Sequence, residues 1–232
     1  MKLAATPEDV IPKMLEELIP ERAEVNFSSY EYQPGVLADS REIFVLRREH
    51  LADEYCKLRA SLSRGRDLAM HSQVLIRHGE RVEIFHIPMV DFKTPTIEDG
   101  WSTIVEILAD FQCSSGALFF SGQSWHLYGA ALVPQARWSS LIGSLLLANK
   151  DGGRQIVDCR WIGHRLRAGY CSLRWTANQP KYLGKPQLVF LGELRRLKHR
   201  HFVNFVKELA ETPRHRKSRE APRAAAQLQS VI

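Results

Sequence analysis

The segment 121–129, Ser-Gly-Gln-Ser-Trp-His-Leu-Tyr-Gly, constrains the fold of this chain more than any other stretch. Its residues alternate, so the side chains of Ser124 and His126 leave a β-strand on the same side. The apolar run 116–120 precedes it, and the triplet 121–123 predicts the turn of a hairpin. A hydroxyl and an imidazole side by side can bind a phosphate group or transfer a proton; a hairpin face that only meets water is the simpler alternative.

Length and composition indicate one large domain, or one domain with appendages. The chain has 232 residues, of which 44% are hydrophobic, enough for a substantial core. Its first nine residues lack a signal-peptide pattern, and the longest apolar helix candidate, 141–148, is too short to cross a bilayer. The four cysteines form no Cys-x-x-Cys pair. We therefore expect a reduced, cytoplasmic protein without a membrane segment.

Positive charge is concentrated at the C-terminal end. The net charge is +6, and from residue 195 onward ten Lys and Arg residues face only three acids. Such a tail on a near-neutral body favours an anionic polymer as partner, although a solubilising tail has the same composition. We expect three parts: an N-terminal arm (1–40), a core (41–194), and a C-terminal helix with the basic tail (195–232).

The periodicity of the core predicts an α+β fold with a mostly antiparallel sheet and flanking helices. Helices are expected at 7–18, 43–62, 96–111 and 137–148, and 20–35 is expected to be irregular. A hairpin is expected over 74–85 with its turn at His78-Gly79, and further strands at 155–158 and 165–175.

Two aspartates follow apolar strand candidates. Asp91 follows 87–90 and Asp158 follows 156–157. Acids at strand ends can hold a divalent metal together, whereas each alone is also typical of a turn or a helix cap. After Asp158, Arg165, Arg167 and Arg174 alternate with aromatic residues, a pattern that suits phosphate binding and base stacking or, alternatively, a solvated strand face.

The order of these motifs resembles the catalytic core of the archaeo-eukaryotic primase superfamily, the primase-polymerases. The family's first acidic motif corresponds to 89–93, its Ser-x-His motif to Ser124-Trp125-His126, and its hydrophobic-Asp motif to Val157-Asp158. The likeness covers about 74–176 and suggests a bacterial-type member with an RRM-like core.

The resemblance implies a metal-dependent nucleotidyltransferase that synthesises DNA or RNA on a template from nucleoside triphosphates. Asp91 and Asp158 would be catalytic and hold Mg²⁺ or Mn²⁺; Ser124, His126, Arg165, Arg167 and Arg174 would bind the nucleotide. Single-stranded DNA or RNA would be the template partner, and a helicase or other replication protein acting in trans is left open.

The first motif departs from the family pattern. The family has two acids separated by one residue, and Lys93 stands at the second place. A lysine there could pair with a carboxylate and mimic a cation. The main alternative is therefore a catalytically impaired module that binds nucleotide or nucleic acid without synthesis.

Two further alternatives rest on single motifs. A hydrolase would need a Gly-x-Ser-x-Gly elbow, but His126 stands where the last glycine belongs and obstructs the sharp turn. A structural metal site would draw on Cys159, His164 and Cys171, whose spacing does not form a tetrahedral clip.

Overall fold

Two antiparallel β-sheets carry the fold in the computed structural model, which describes residues 5–33, 35–36, 40–197 and 202. The α-helices within these residues are α1 (Pro7–Leu18), α2 (Leu51–Ala60), α3 (Glu98–Asp110), α4 (Gln135–Ser144) and α5 (Cys159–Ala168). The strands are β1 (Glu24–Tyr30), β2 (Arg41–Arg47), β3 (Asp67–His78), β4 (Arg81–His86), β5 (Met89–Asp91), β6 (Ser115–Phe120), β7 (Trp125–Gly129), β8 (Val133–Pro134), β9 (Ser172–Arg174) and β10 (Gln187–Glu193).

The first sheet has the order β2-β1-β3-β4-β8, and β9 also pairs with β3; the second sheet has the order β10-β6-β7-β5. Neighbouring strands run antiparallel in both sheets. The predicted α+β class with an antiparallel sheet and flanking helices is therefore confirmed. The predicted hairpins are also present: β3 and β4 flank Gly79, and β6 and β7 flank Gly122.

Aromatic side chains join the two sheets. Trp175, directly after β9, packs edge-on against Phe27 of β1 and Tyr55 of α2, with ring centroids 4.9 and 5.0 Å apart. Its indole N–H donates to the hydroxyl of Tyr128 on β7 at 3.1 Å. The end of β9 is thus fixed to β7 by a buried contact, which holds elements of both sheets beside the candidate site.

The predicted helix over 43–62 is wrong in its first part. Residues 41–47 form β2, which pairs with β1 at every position, and only Leu51–Ala60 is α-helical. The β-branched Ile43 and Val45 favour this strand, and β1 supplies the ladder partner. For the same reason 20–35 is not wholly irregular, since it contains β1 between β2 and β3. The expected arm (1–40) thus contributes α1 and an inner strand.

The predicted strand over 165–175 is also partly wrong. Residues up to Ala168 belong to α5, which ends at Gly169 with φ of 79°, and only Ser172–Arg174 is a strand. Asp158 and Gly169 are typical first and last residues flanking a helix. The alternating arginines gave a misleading strand signal, because Arg165 and Arg167 lie on α5.

The basic C-terminal segment lies mostly outside the described residues. Residues 197–232 form a separate unit, of which only Leu197 and Phe202 are described. The expected C-terminal helix and basic tail therefore stay predictions. Within the described residues, the structure contains no helix with both the length and the apolar character needed to span a bilayer.

Candidate active site

The turn between β6 and β7 holds Ser124. Gly122 lies in the left-handed region, with φ of 101°, where glycine carries no side-chain penalty. The backbone N–H of Ser121 donates to the Ser124 carbonyl at 2.8 Å, and the two hydroxyls are 3.2 Å apart. Ser124 is thus held at the edge of a pocket by the turn itself.

Pairing of β5 with β7 places Asp91 opposite His126. The distance from His126 Nε2 to Asp91 Oδ1 is 3.6 Å. His126 is buried, with 6% of its surface exposed, so the simpler alternative of a hairpin face that only meets water is wrong. Burial, with Arg174 nearby, lowers the pKa of His126 to about 3. The imidazole is therefore neutral at physiological pH, and its contact with Asp91 is not an ion pair.

Asp158 lies beside Asp91 because short backbone contacts join their segments. The Asp158 N–H donates to the Asp91 carbonyl at 3.2 Å, and Phe92 forms an isolated bridge with Val157. The expected strand before Asp158 is reduced to this bridge. Asp158 also caps α5, since its Oδ1 accepts from the backbone N–H groups of Arg160 and Trp161 at 2.9 and 3.3 Å. Its carboxylate is therefore held in place by the helix.

The two carboxylates repel each other. Burial, and then the charge of Asp158, raise the pKa of Asp91 to about 7 from its ordinary 3.8. The remaining exposure of the Asp91 side chain is 26%, so the group can still reach a ligand in the pocket. A partly buried carboxyl beside a second carboxyl favours the binding of a cation, which offsets the repulsion between the two.

Lys93 contacts the acidic pair. Its ammonium lies 3.2 Å from Asp158 Oδ2, and its backbone N–H donates to the Ile156 carbonyl at 2.8 Å. The lysine at the family's second acidic place therefore pairs with the other carboxylate, as the sequence suggested. Because half of the Lys93 side chain is exposed, this ion pair is a weak one that a ligand can displace.

Arg165 points into the same pocket from α5. It is almost fully buried and donates to the Ser172 hydroxyl at 2.6 Å, and Arg41 of β2 donates to the same hydroxyl at 3.2 Å. Two guanidinium groups thus meet at one serine on the wall of the pocket. Such a concentration of positive charge favours a polyanionic ligand.

Arg174 lines the pocket, but its N–H groups donate hydrogen bonds to backbone carbonyls of the protein. It donates to the carbonyls of Thr176, Gly184 and Ser121, the last two at 3.2 and 3.0 Å. Its guanidinium also lies 3.8 Å from the centre of the Tyr182 ring. Arg174 therefore fastens β9 and the 176–184 loop to the turn that carries Ser124, and its positive charge acts on the pocket from this fixed place.

The structure brings six of the seven predicted site residues to one pocket: Asp91, Ser124, His126, Asp158, Arg165 and Arg174. Arg167 is exposed on α5 and is not among the lining residues. Sequence reasoning missed several others that line the pocket: Tyr30, Tyr32, Arg41, Arg160, His164 and Tyr182. The aromatic run at Tyr30 and Tyr32 was a usable signal, but assigning these residues to an arm separated them from the core.

The candidate cation site consists of two carboxylates, Asp91 and Asp158. Among the described residues, no group of three or more His, Cys, Asp or Glu side chains could hold a metal ion. Asp91 and Asp158 nevertheless offer hard oxygen ligands next to each other. Burial and then the charge of Asp158 raise the pKa of Asp91, and a cation would offset both effects. A phosphate group and water would supply the other ligands that Mg²⁺ normally retains.

The hydrolase and structural-metal alternatives find no support. The residues after Ser124 form β7, whereas a nucleophile elbow needs a strand-turn-helix. Cys171 is buried and Cys159 is exposed. Neither belongs to a group of three or more possible metal ligands among the described residues.

Comparison with known proteins gives the family. The model of the AEP-like family, described as archaeo-eukaryotic primase 1D-like, matches residues 48–187, more than half of the chain. The chain therefore belongs to this primase family, and the resemblance predicted from its motifs is confirmed. No curated protein matches the chain. No solved structure matches it either.

Proposed function

We propose that this protein is a primase-polymerase-type nucleotidyltransferase that joins nucleotides from nucleoside triphosphates on a single-stranded DNA or RNA template. The observation that carries the proposal is the meeting of Asp91, Asp158, Ser124 and His126 in one pocket with buried arginines. Carboxylates and cationic groups together suit a ligand that brings both phosphate and a divalent cation.

Asp91 and Asp158 would hold Mg²⁺ or Mn²⁺. A bound divalent cation neutralises phosphate oxygens and lowers the pKa of the attacking 3′-hydroxyl. The Asp158 carboxylate is oriented for this role by the backbone N–H groups of α5. In the transfer, the 3′-oxygen bonds to the α-phosphorus as the bond to pyrophosphate breaks, and the hydroxyl proton is released to water.

Ser124 and His126 would bind the triphosphate. His126 lines the pocket, and among the described residues its Nδ1 is buried without a hydrogen-bond partner. The neutral imidazole binds by a directed hydrogen bond, while Arg165 supplies the positive charge. His126 sits on a strand, Arg165 on a helix and Ser124 on a hydrogen-bonded turn, so the site is preorganised.

A second candidate is a nucleotide- and template-binding module with weak or no synthesis. The contact between Lys93 and Asp158 favours this candidate, because the ammonium pairs with a carboxylate oxygen that a metal ion would otherwise bind. Both candidates share the ligand and differ in turnover. The cytoplasmic location and a role in DNA replication stay predictions under either candidate.

One assay separates the candidates. The purified chain is incubated with labelled dNTPs or NTPs, a single-stranded template, and Mg²⁺ or Mn²⁺, beside Asp91→Ala, Asp158→Ala and the exposed-acid control Asp151→Ala. Product that is lost in the first two variants and kept in the control supports the enzyme. Binding of nucleotide and template without product under either metal supports the module, and the absence of binding contradicts both.

A further inference from the structure

Three apolar side chains at the mouth of the pocket are unusually exposed. Tyr32, Val36 and Leu183 have 45%, 43% and 50% of their surface accessible, and all three line the pocket that contains the acidic pair. Single exposed apolar residues are ordinary on a protein surface. Apolar groups gathered at the mouth of an otherwise polar pocket are instead typical of ligand sites, where a few polar groups orient a largely apolar contact.

Tyr32 is exposed but held in place. Its backbone N–H donates to Gln179 Oε1 at 3.3 Å, and Gln179 Nε2 donates to the Tyr30 carbonyl at 3.4 Å. The ammonium of Lys181 lies over the Tyr32 ring. Because ring and backbone are already fixed, a ligand that contacts Tyr32 loses little affinity to ordering the side chain.

Leu183 is fixed next to the Ser-x-His turn. A Cβ at Gly122 would lie 3.4 Å from the Leu183 Cβ, so the two loops are in contact there. Arg174 adds a bridge, since it donates to the carbonyls of both Ser121 and Gly184. The loop that carries Leu183 is therefore joined to the proposed phosphate-binding turn.

We propose that Tyr32, Val36 and Leu183 form a nucleobase subsite. This inference rests on the proposed function and deepens it, because a nucleotide joins a flat apolar base to a polyanionic tail, and the pocket offers a wall for each. Stacking and apolar contact use the π face that every base has, so the subsite accepts all four bases. The base comes from the incoming nucleoside triphosphate or from the template strand.

The experiment measures binding with and without a base. Isothermal titration of the full chain with Mg²⁺ compares ATP with inorganic tripolyphosphate, and a single-stranded oligonucleotide with an abasic one. The variants are Tyr32→Ala, Tyr32→Phe and Leu183→Ala, and the control is Ile43→Ala, an equally exposed apolar residue (52%) outside the pocket. Tyr32→Ala should weaken ATP binding about tenfold and leave tripolyphosphate unchanged, while Tyr32→Phe and Ile43→Ala bind like wild type.

The outcomes separate the sources and the failures. Loss confined to ATP assigns the subsite to the incoming nucleotide; loss confined to the base-bearing oligonucleotide assigns it to the template. The subsite is overturned, and a polyanion site left standing, if wild type shows no preference for a base in either pair of probes (ATP over tripolyphosphate, base-bearing over abasic oligonucleotide). It is also overturned if Tyr32→Ala and Leu183→Ala bind all four probes as wild type does. Binding of none of the four probes overturns the proposed function as well. Thermal melting checks that each variant is folded. If Tyr32→Ala is unfolded, the binding data of Leu183→Ala decide the question instead.

Discussion

Lys93 and Asp158 form an ion pair, with the lysine ammonium 3.2 Å from Asp158 Oδ2. They are far apart in sequence, and the bridge between Phe92 and Val157 brings them together. The pair puts a positive charge beside the two carboxylates to which the proposed function assigns a divalent cation. Under the proposed function, the ease with which a cation displaces this ammonium separates an active polymerase from a binding module.

Replacing Lys93 with alanine should strengthen divalent cation binding. The change frees Asp158 Oδ2 and removes a positive charge next to Asp91, so the Mn²⁺ affinity should rise about 3- to 10-fold. Titration calorimetry with Mn²⁺ measures this, with Lys150→Ala as a control at an exposed lysine outside the pocket. Equal affinities of Lys93→Ala and wild type would show that the ion pair does not compete with the metal.

Replacing Asp91 with asparagine should stabilise the metal-free protein at high pH. The pKa of Asp91 is raised to about 7 from 3.8, so the folded state keeps a proton that the unfolded state has lost between these values, and stability falls as pH rises through this range. Asparagine removes that cost, which we expect to be about 1–2 kcal/mol at pH 8 and absent at pH 3.

Urea denaturation of wild type and Asp91→Asn at pH 4, 6 and 8 measures the difference, with Asp151→Asn as the matched control. The two stability curves should separate between pH 4 and about pH 7 and stay parallel above that. An Asp91→Asn protein that is less stable than wild type at pH 8 would contradict the raised pKa.

Replacing His126 with alanine should lower both stability and nucleotide affinity. The side chain is buried, so its removal leaves a cavity and should cost about 1–3 kcal/mol. His126→Gln keeps much of the volume and a hydrogen-bonding group, so it should recover stability more than nucleotide binding; thermal melting and ATP titration compare the two.

Replacing Arg174 with methionine should destabilise the fold. Three carbonyl groups lose their donor, and two of these bonds join β9 to other loops, so a loss of about 2–4 kcal/mol is expected. The matched control is Arg167→Met on the exposed side of α5, where a change within about 0.5 kcal/mol is expected. Urea unfolding of both variants tests this, and equal stabilities would remove Arg174 from its fastening role.

Removing residues 208–232 should weaken nucleic-acid binding. This segment contains five of the Lys and Arg residues, and each phosphate contact that is lost reduces the salt dependence of binding. Oligonucleotide affinity measured from 50 to 200 mM salt should fall less steeply for the truncated chain. An unchanged slope would assign the basic tail another role.

The α+β class, both hairpins and most helix positions follow from the sequence, because glycine turns and alternating apolar residues are local signals. The errors fall where a local signal was outweighed by a distant partner. The local pattern of residues 41–47 predicts a helix, but pairing with β1 makes this segment a strand. The pattern around Arg165 and Arg167 predicts a strand, but Asp158 and Gly169 flank a helix there. Arg41 and Tyr32 were missed as site residues because only the pairing of distant strands brings them to the pocket.

The sequence by itself determined the family and the residue types of the site. These are the Ser-x-His turn, the two aspartates, and the lysine at the second place of the first acidic motif. Only the tertiary structure decided that Lys93 reaches Asp158, that His126 is buried against Asp91, and that Arg174 serves the protein backbone. The physical reason is that spacing along a strand or helix is set by local backbone geometry. The partner of a charged or polar side chain depends instead on which distant strands pair, and a single sequence does not specify that pairing.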